Sequence, residues 1–121
     1  GIAETTDAYY VGFYSILDSE PTIKKWHKLP KNHELIKGMP KDLETLAWFS
    51  DGYYNLNPMD TTDTFLFKDL RYPLMDESDP NSSIFKFTIT KSNDRWEAAP
   101  FYVSDINEGA RAAFWARLKG I

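Results

Sequence analysis

The sequence predicts an α+β domain: a mostly antiparallel, twisted sheet of about five or six strands, with two main helices, about 41–51 and 105–119, packed on it. Three observations carry that expectation. In Leu46–Tyr72 a helical repeat runs straight into two consecutive strand-like segments. Two further segments alternate apolar and polar residues around turn-forming sequences, and the chain closes on a capped helical pattern.

The elements follow in order. Ala8–Leu17 reads as the first strand, with Tyr9, Val11, Phe13 and Leu17 on one face and Tyr10, Tyr14 and Ile16 on the other. Apolar residues on both faces place it centrally, and Gly12 allows a bulge or a close packing contact. Asp18-Ser19-Glu20-Pro21 makes a turn. Thr22–Leu29 then reads as an edge strand, where lysines and Pro30 discourage further pairing. His33–Lys37 is a short helical turn ended by Gly38 and Pro40.

Leu43, Leu46, Ala47 and Ser50 recur at helical spacing, and Gly52 stands where a helix commonly ends in the left-handed region. Tyr53, Tyr54 and Leu56, the turn Asn57–Asp60, and Thr64–Arg71 form a hairpin. In its second strand Phe65, Phe67, Asp69 and Arg71 share one face, apolar at one end and charged at the other. Pro73–Ser83 is a polar loop. Ser83–Thr90 and Arg95–Val103 pair across Lys91–Asp94, with Phe85, Phe87 and Ile89 on the buried side and Pro100 marking an edge. Asp105 is the N-cap of the last helix and Glu108 its reciprocal partner. Ile106, Ala110, Ala113, Phe114 and Ile121 lie near one stripe, and Arg117 and Lys119 suit the negative end of the helix dipole before Gly120.

At 121 residues the expectation is one soluble domain, 1–121. An aromatic fraction of 16% gives the core ample apolar area without crosslinks. With no cysteine, thiolate catalysis and cysteine–metal sites are excluded, while the compartment is left open. A net charge of −4 argues against a nucleic-acid binder that works through phosphate contacts. Charge is unevenly spread: 21–41 holds six lysines against Glu34 alone, and 42–80 holds nine acids against Lys68 and Arg71. Lys24, Lys25 and Lys28 are therefore candidates to face anionic lipid headgroups. A solvated face beside a protected sheet edge is the simpler reading.

No complete catalytic constellation is present. His27 and His33 do not match the spacing of a helical zinc pair, and there is no nucleophile elbow, phosphate loop or dinucleotide fingerprint. Asp51, Asp69 and Asp105 have no sequence feature that brings two of them to the separation glycosidase chemistry requires. Asp69 with Arg71, flanked by Trp48 and Tyr53, is the candidate ligand-binding group. A structural ion pair and core aromatics are the alternative.

The runs DAYYVGFYSILD, KLPKNHELI, LAWFSDGYY with its following DLRY, and FWARLKG resemble, in combination, the C-terminal extramembrane region of the YdjM/YbcI-type family of predicted inner-membrane metal-dependent hydrolases. The resemblance spans about Asp7 to Gly120. It implies a soluble appendage of a longer membrane protein, attached to the bacterial inner membrane through an N-terminal part that lies outside this sequence. A divalent metal and its His and Asp ligands would belong to that part, which would also be this domain's partner. No family catalytic residue maps onto a position here. Two functions follow: an accessory or regulatory domain without its own catalytic site, or a ligand-binding domain that lends polar and aromatic residues to a hydrolase acting on a lipid-like substrate.

Overall fold

Antiparallel pairing dominates the chain, and it produces two sheets where the sequence predicts one. The computed structural model describes residues 1–38, 40–72, 74, 76, 79, 82–101 and 108–120. Among the described residues, seven strands form a three-stranded and a four-stranded antiparallel sheet, so the fold is mostly β. The expected single α+β sheet carrying two helices is incorrect. Each sheet belongs to its own compact unit: residues 1–30, 74–82 and 103–121 form one, and residues 31–73 and 83–102 the other.

In the first unit, β1 (Ile2–Glu4), β2 (Ala8–Gly12) and β3 (Trp26–Pro30) pair in the order β1-β2-β3. The central place of β2 agrees with its two apolar faces. The strand stops at Gly12, however, which pairs with Trp26 and lies under Ile23: a Cβ there would lie 2.4 Å from Ile23 Cγ2. Residues 13–25 are thus a connection rather than strand. Ala8, Tyr9 and Leu29 are the buried apolar residues of this sheet. β1 is only three residues long, and all three are exposed, so it carries no alternation to read from sequence. The helix α2 (Glu108–Leu118) belongs to this unit. Its N-cap assignment, Asp105, lies outside the described residues, as do Ile106, Ile121 and the side chains of Glu108, Ala110 and Phe114.

The second unit orders β4 (Tyr54–Pro58), β5 (Thr64–Asp69), β6 (Lys86–Ser92) and β7 (Arg95–Pro100) as a simple meander. A single helix, α1 (Lys41–Phe49), packs on this sheet, preceded by a 3-10 turn at His33–Leu35. Ile36, Leu43, Tyr54, Leu56, Phe67 and Ile89 form the buried cluster, with Leu46 and Ala47 of α1 against it. Burying side chains of this size contributes about 1.5–3 kcal/mol each. Tyr54 is stacked between His33 (ring centroids 4.0 Å apart) and Phe67 (4.7 Å).

Side chains engage the edges of the second sheet. The outward carbonyls of β4 are taken by side chains: His33 Nε2–H donates to Tyr54 O at 2.7 Å, and Asn32 Nδ2 donates to Leu56 O at 2.9 Å. On the far edge, the Asp42 carboxylate accepts from Ala98 N–H at 3.1 Å. β3 ends on Pro30, which has no N–H to offer. Side chains thus occupy edge positions of the second sheet that would otherwise be open to a further strand.

Both faces of the second sheet are covered in part. Opposite the apolar cluster, Asn55, Lys68 and Lys86 stand in one cross-strand row, and Lys68 is only 1% exposed. The Lys86 ammonium lies 5.4 Å from the Phe101 ring centroid. Alternation alone assigns these lysines to the solvent face.

Candidate functional site

The Asp69–Arg71 group sits where α1 hands over to the sheet. α1 ends in a Schellman arrangement: Gly52 N–H donates to Ala47 O at 2.8 Å and Asp51 N–H to Trp48 O at 3.1 Å. Two successive left-handed residues, Asp51 (φ 54°) and Gly52 (φ 78°), then turn the chain into β4. The turn leaves Trp48 81% exposed and Phe49 exposed at the helix end. Tyr53 is half-buried and accepts from Leu70 N–H through its carbonyl at 2.9 Å, which extends the β4–β5 pairing by one step.

Asp69 closes β5 opposite Tyr54 and is 0% exposed. Its carboxylate accepts three hydrogen bonds from Arg71: backbone N–H to Oδ1 at 3.0 Å, Nε to Oδ1 at 3.2 Å and Nη2 to Oδ2 at 2.9 Å. The two-residue separation lets the side chain bend back over its own strand end. The hydrogen bond to Asp69 raises the Arg71 guanidinium above its usual pKa, so it is charged at every accessible pH. Its other neighbours are rings, Phe49 at 5.2 Å and Tyr72 at 5.7 Å from the guanidinium carbon. Tyr72 in turn packs on Phe85 at 4.4 Å. A bidentate, ring-flanked fork of this kind fixes geometry strongly.

The chemistry open to this group is narrow. The Asp69 oxygens are buried and held by a permanent cation, so they cannot reach a substrate as base or nucleophile without breaking the fork. The rings that flank Arg71 are those of Phe49 and Tyr72, which sequence reasoning did not place beside it. Their signal was available only in part, through the position of Phe49 at the end of the helix.

Comparison with family models, curated proteins and solved structures gave one result. None of them matches this chain.

The histidines are placed by packing. His33 serves the Tyr54 stack and the β4 edge, and His27 lies edge-on to Phe13 at 6.4 Å. Among the described residues no three His, Asp or Glu side chains converge as metal ligands, and no helix is long and apolar enough to cross a membrane. Asp51 is exposed, and Asp105 lies outside the described residues.

Proposed function

We propose that this chain is a non-catalytic accessory domain that positions or presents a surface for a larger protein. The observation that carries the reading is the fully buried Asp69 carboxylate, closed by three hydrogen bonds from Arg71. A reactive carboxyl needs an accessible oxygen and a pKa matched to its task, and this one is spent on joining β5 to the segment that follows it. The wider attachment, to a membrane-bound metal-dependent hydrolase, is supported by the sequence resemblance alone.

The ligand-binding alternative keeps one specific support: the exposed rings of Phe49 and Tyr72 flank the guanidinium of an arginine side chain that is 35% exposed, a surface on which a planar or sugar-like group can stack. The test of the main reading is direct. The purified chain should hydrolyse neither esters nor phosphodiesters above the buffer rate, with magnesium, manganese or zinc present or with a chelator. Chelator-sensitive turnover that disappears in Asp69→Asn would overturn it.

A further inference from the structure

The connection 13–25 of the first unit carries a feature that packing does not explain. Ser15–Asp18 is a tight turn: Asp18 N–H donates to Ser15 O at 2.9 Å, Ser15 N–H to Asp18 Oδ2 at 3.0 Å, and Leu17 N–H to Ser15 Oγ at 3.2 Å. Its two central positions, which turns normally give to Gly, Pro, Asn or Asp, are Ile16 and Leu17. They are 88% and 62% exposed.

The turn is held rigidly from behind by the end of α2. Arg117 donates through Nη1 and Nη2 to the two Asp18 carboxylate oxygens, both at 2.6 Å, and through Nη2 to Phe13 O at 3.1 Å. Ser15 Oγ donates to Leu118 O at 2.9 Å. Gly120 (φ 74°) lies so close to the turn that an added Cβ would stand 2.5 Å from Leu17 O. Branched aliphatics are thereby displayed on a fixed apex, not on a loose loop.

The same connection continues into the lysines. Its two acids are engaged, Asp18 by Arg117 and Glu20 by Lys24 at 3.5 Å, so Lys25 and Lys28 give the segment a positive surplus on a chain of net charge −4. Tyr14 and Trp26, both exposed, flank it. Along one stretch of chain an exposed apolar apex, a lysine-rich run and two exposed aromatics follow one another, a composition that a membrane–water interface accommodates. A second copy of this chain fits less well, because an isologous contact at the apex would bring the lysines of the two copies together.

We propose that Ile16 and Leu17 form a wedge that inserts into the surface of an anionic bilayer, with Lys25 and Lys28 against its headgroups. This builds on the lysine-rich segment noted in the sequence and is independent of Asp69 and Arg71. The test uses the whole chain with vesicles of phosphatidylcholine alone or mixed with phosphatidylglycerol. Binding is expected to the mixed vesicles and to weaken with salt. Ile16→Ser with Leu17→Ser should lower it by about tenfold or more, from the methylenes withdrawn from the bilayer, whereas Ile16→Phe with Leu17→Phe should retain it.

Because the chain has no cysteine, a single Ile16→Cys can carry an environment-sensitive dye. Its emission should shift to the blue with mixed vesicles, while the same dye at Glu44→Cys on α1 should not respond. Unaltered melting temperatures in the serine variants guard against unfolding. No binding to mixed vesicles, serine variants that bind like the parent, or self-association lost in those variants without vesicle binding would each overturn the proposal.

Discussion

At the scale of single residues, stacked rings fill the core of the second unit, and the Arg117–Asp18 pair ties distant segments of the first. Phe67 is fully buried between Tyr54 and the edge of Phe87. Phe67→Ala should cost about 3–5 kcal/mol, read as a lowered midpoint in urea. Tyr54→Phe should cost far less, because the stack on His33 and Phe67 needs only the ring. Asp18 gives a pH-dependent prediction. The hydrogen bonds from Arg117 hold its carboxyl at about 2, below the ordinary 3.8. The folded state is thus the more acidic one, and the pair's contribution is complete well above 3.8 and fades as pH falls from there through about 2. Asp18→Asn should therefore melt lower than the parent at pH 7, with the gap closing near pH 2. A gap of constant size across that range would mean that the pair does not stabilise through its charge.

At the scale of elements, turns set the boundaries more firmly than apolar periodicity does. The end of α1 was legible: Leu43, Leu46 and Ala47 mark the face, and Gly52 marks the stop. Gly52 is nevertheless the second left-handed residue, with Asp51 holding the first. Gly52→Ala should cost about 1 kcal/mol through backbone conformation alone, since the space around it is open, and Asp51→Gly should be neutral or stabilising. Thermal denaturation of the two variants separates these outcomes. The β6–β7 hairpin was equally legible. Asn93 (φ 50°) and Asp94 (φ 60°) are the left-handed pair that a two-residue hairpin turn requires. Ala8–Leu17 misled because Phe13 to Leu17 continue the alternation after pairing has ended at Gly12; Ser15 and Asp18 bond to one another in a turn, which the apolar pattern does not report.

At the scale of the whole chain, the first unit is assembled from segments far apart in sequence. Arg117 meets Asp18 and Phe13 across separations of 99 and 104 residues. Contacts of such high sequence separation form at the cost of closing a long loop, so the rigidity of the 15–18 turn depends on the far end of the chain. Arg117→Met should speed amide exchange at Leu17 and Asp18 while leaving the β4–β7 amides protected. Equal protection at 17 and 18 in both proteins would show that the turn is self-sufficient.

The sequence by itself determined which segments are extended or helical near α1, β2 and the two hairpins of the second sheet, because period and turn chemistry are local properties. It also marked Asp69 and Arg71 as a charged pair two residues apart at the end of an apolar strand, although β5 stops at Asp69 and Arg71 lies in the turn that follows. Only the tertiary structure decided that there are two sheets. Side chains from Asn32, His33 and Asp42 close the edges, and no alternation pattern reports where a side chain from another element will land. It likewise decided that Asp69 is sealed by Arg71 and that Lys68 is buried. It also decided that Ile16 and Leu17, which alternation placed within a strand, stand out from the surface on a turn held by Arg117.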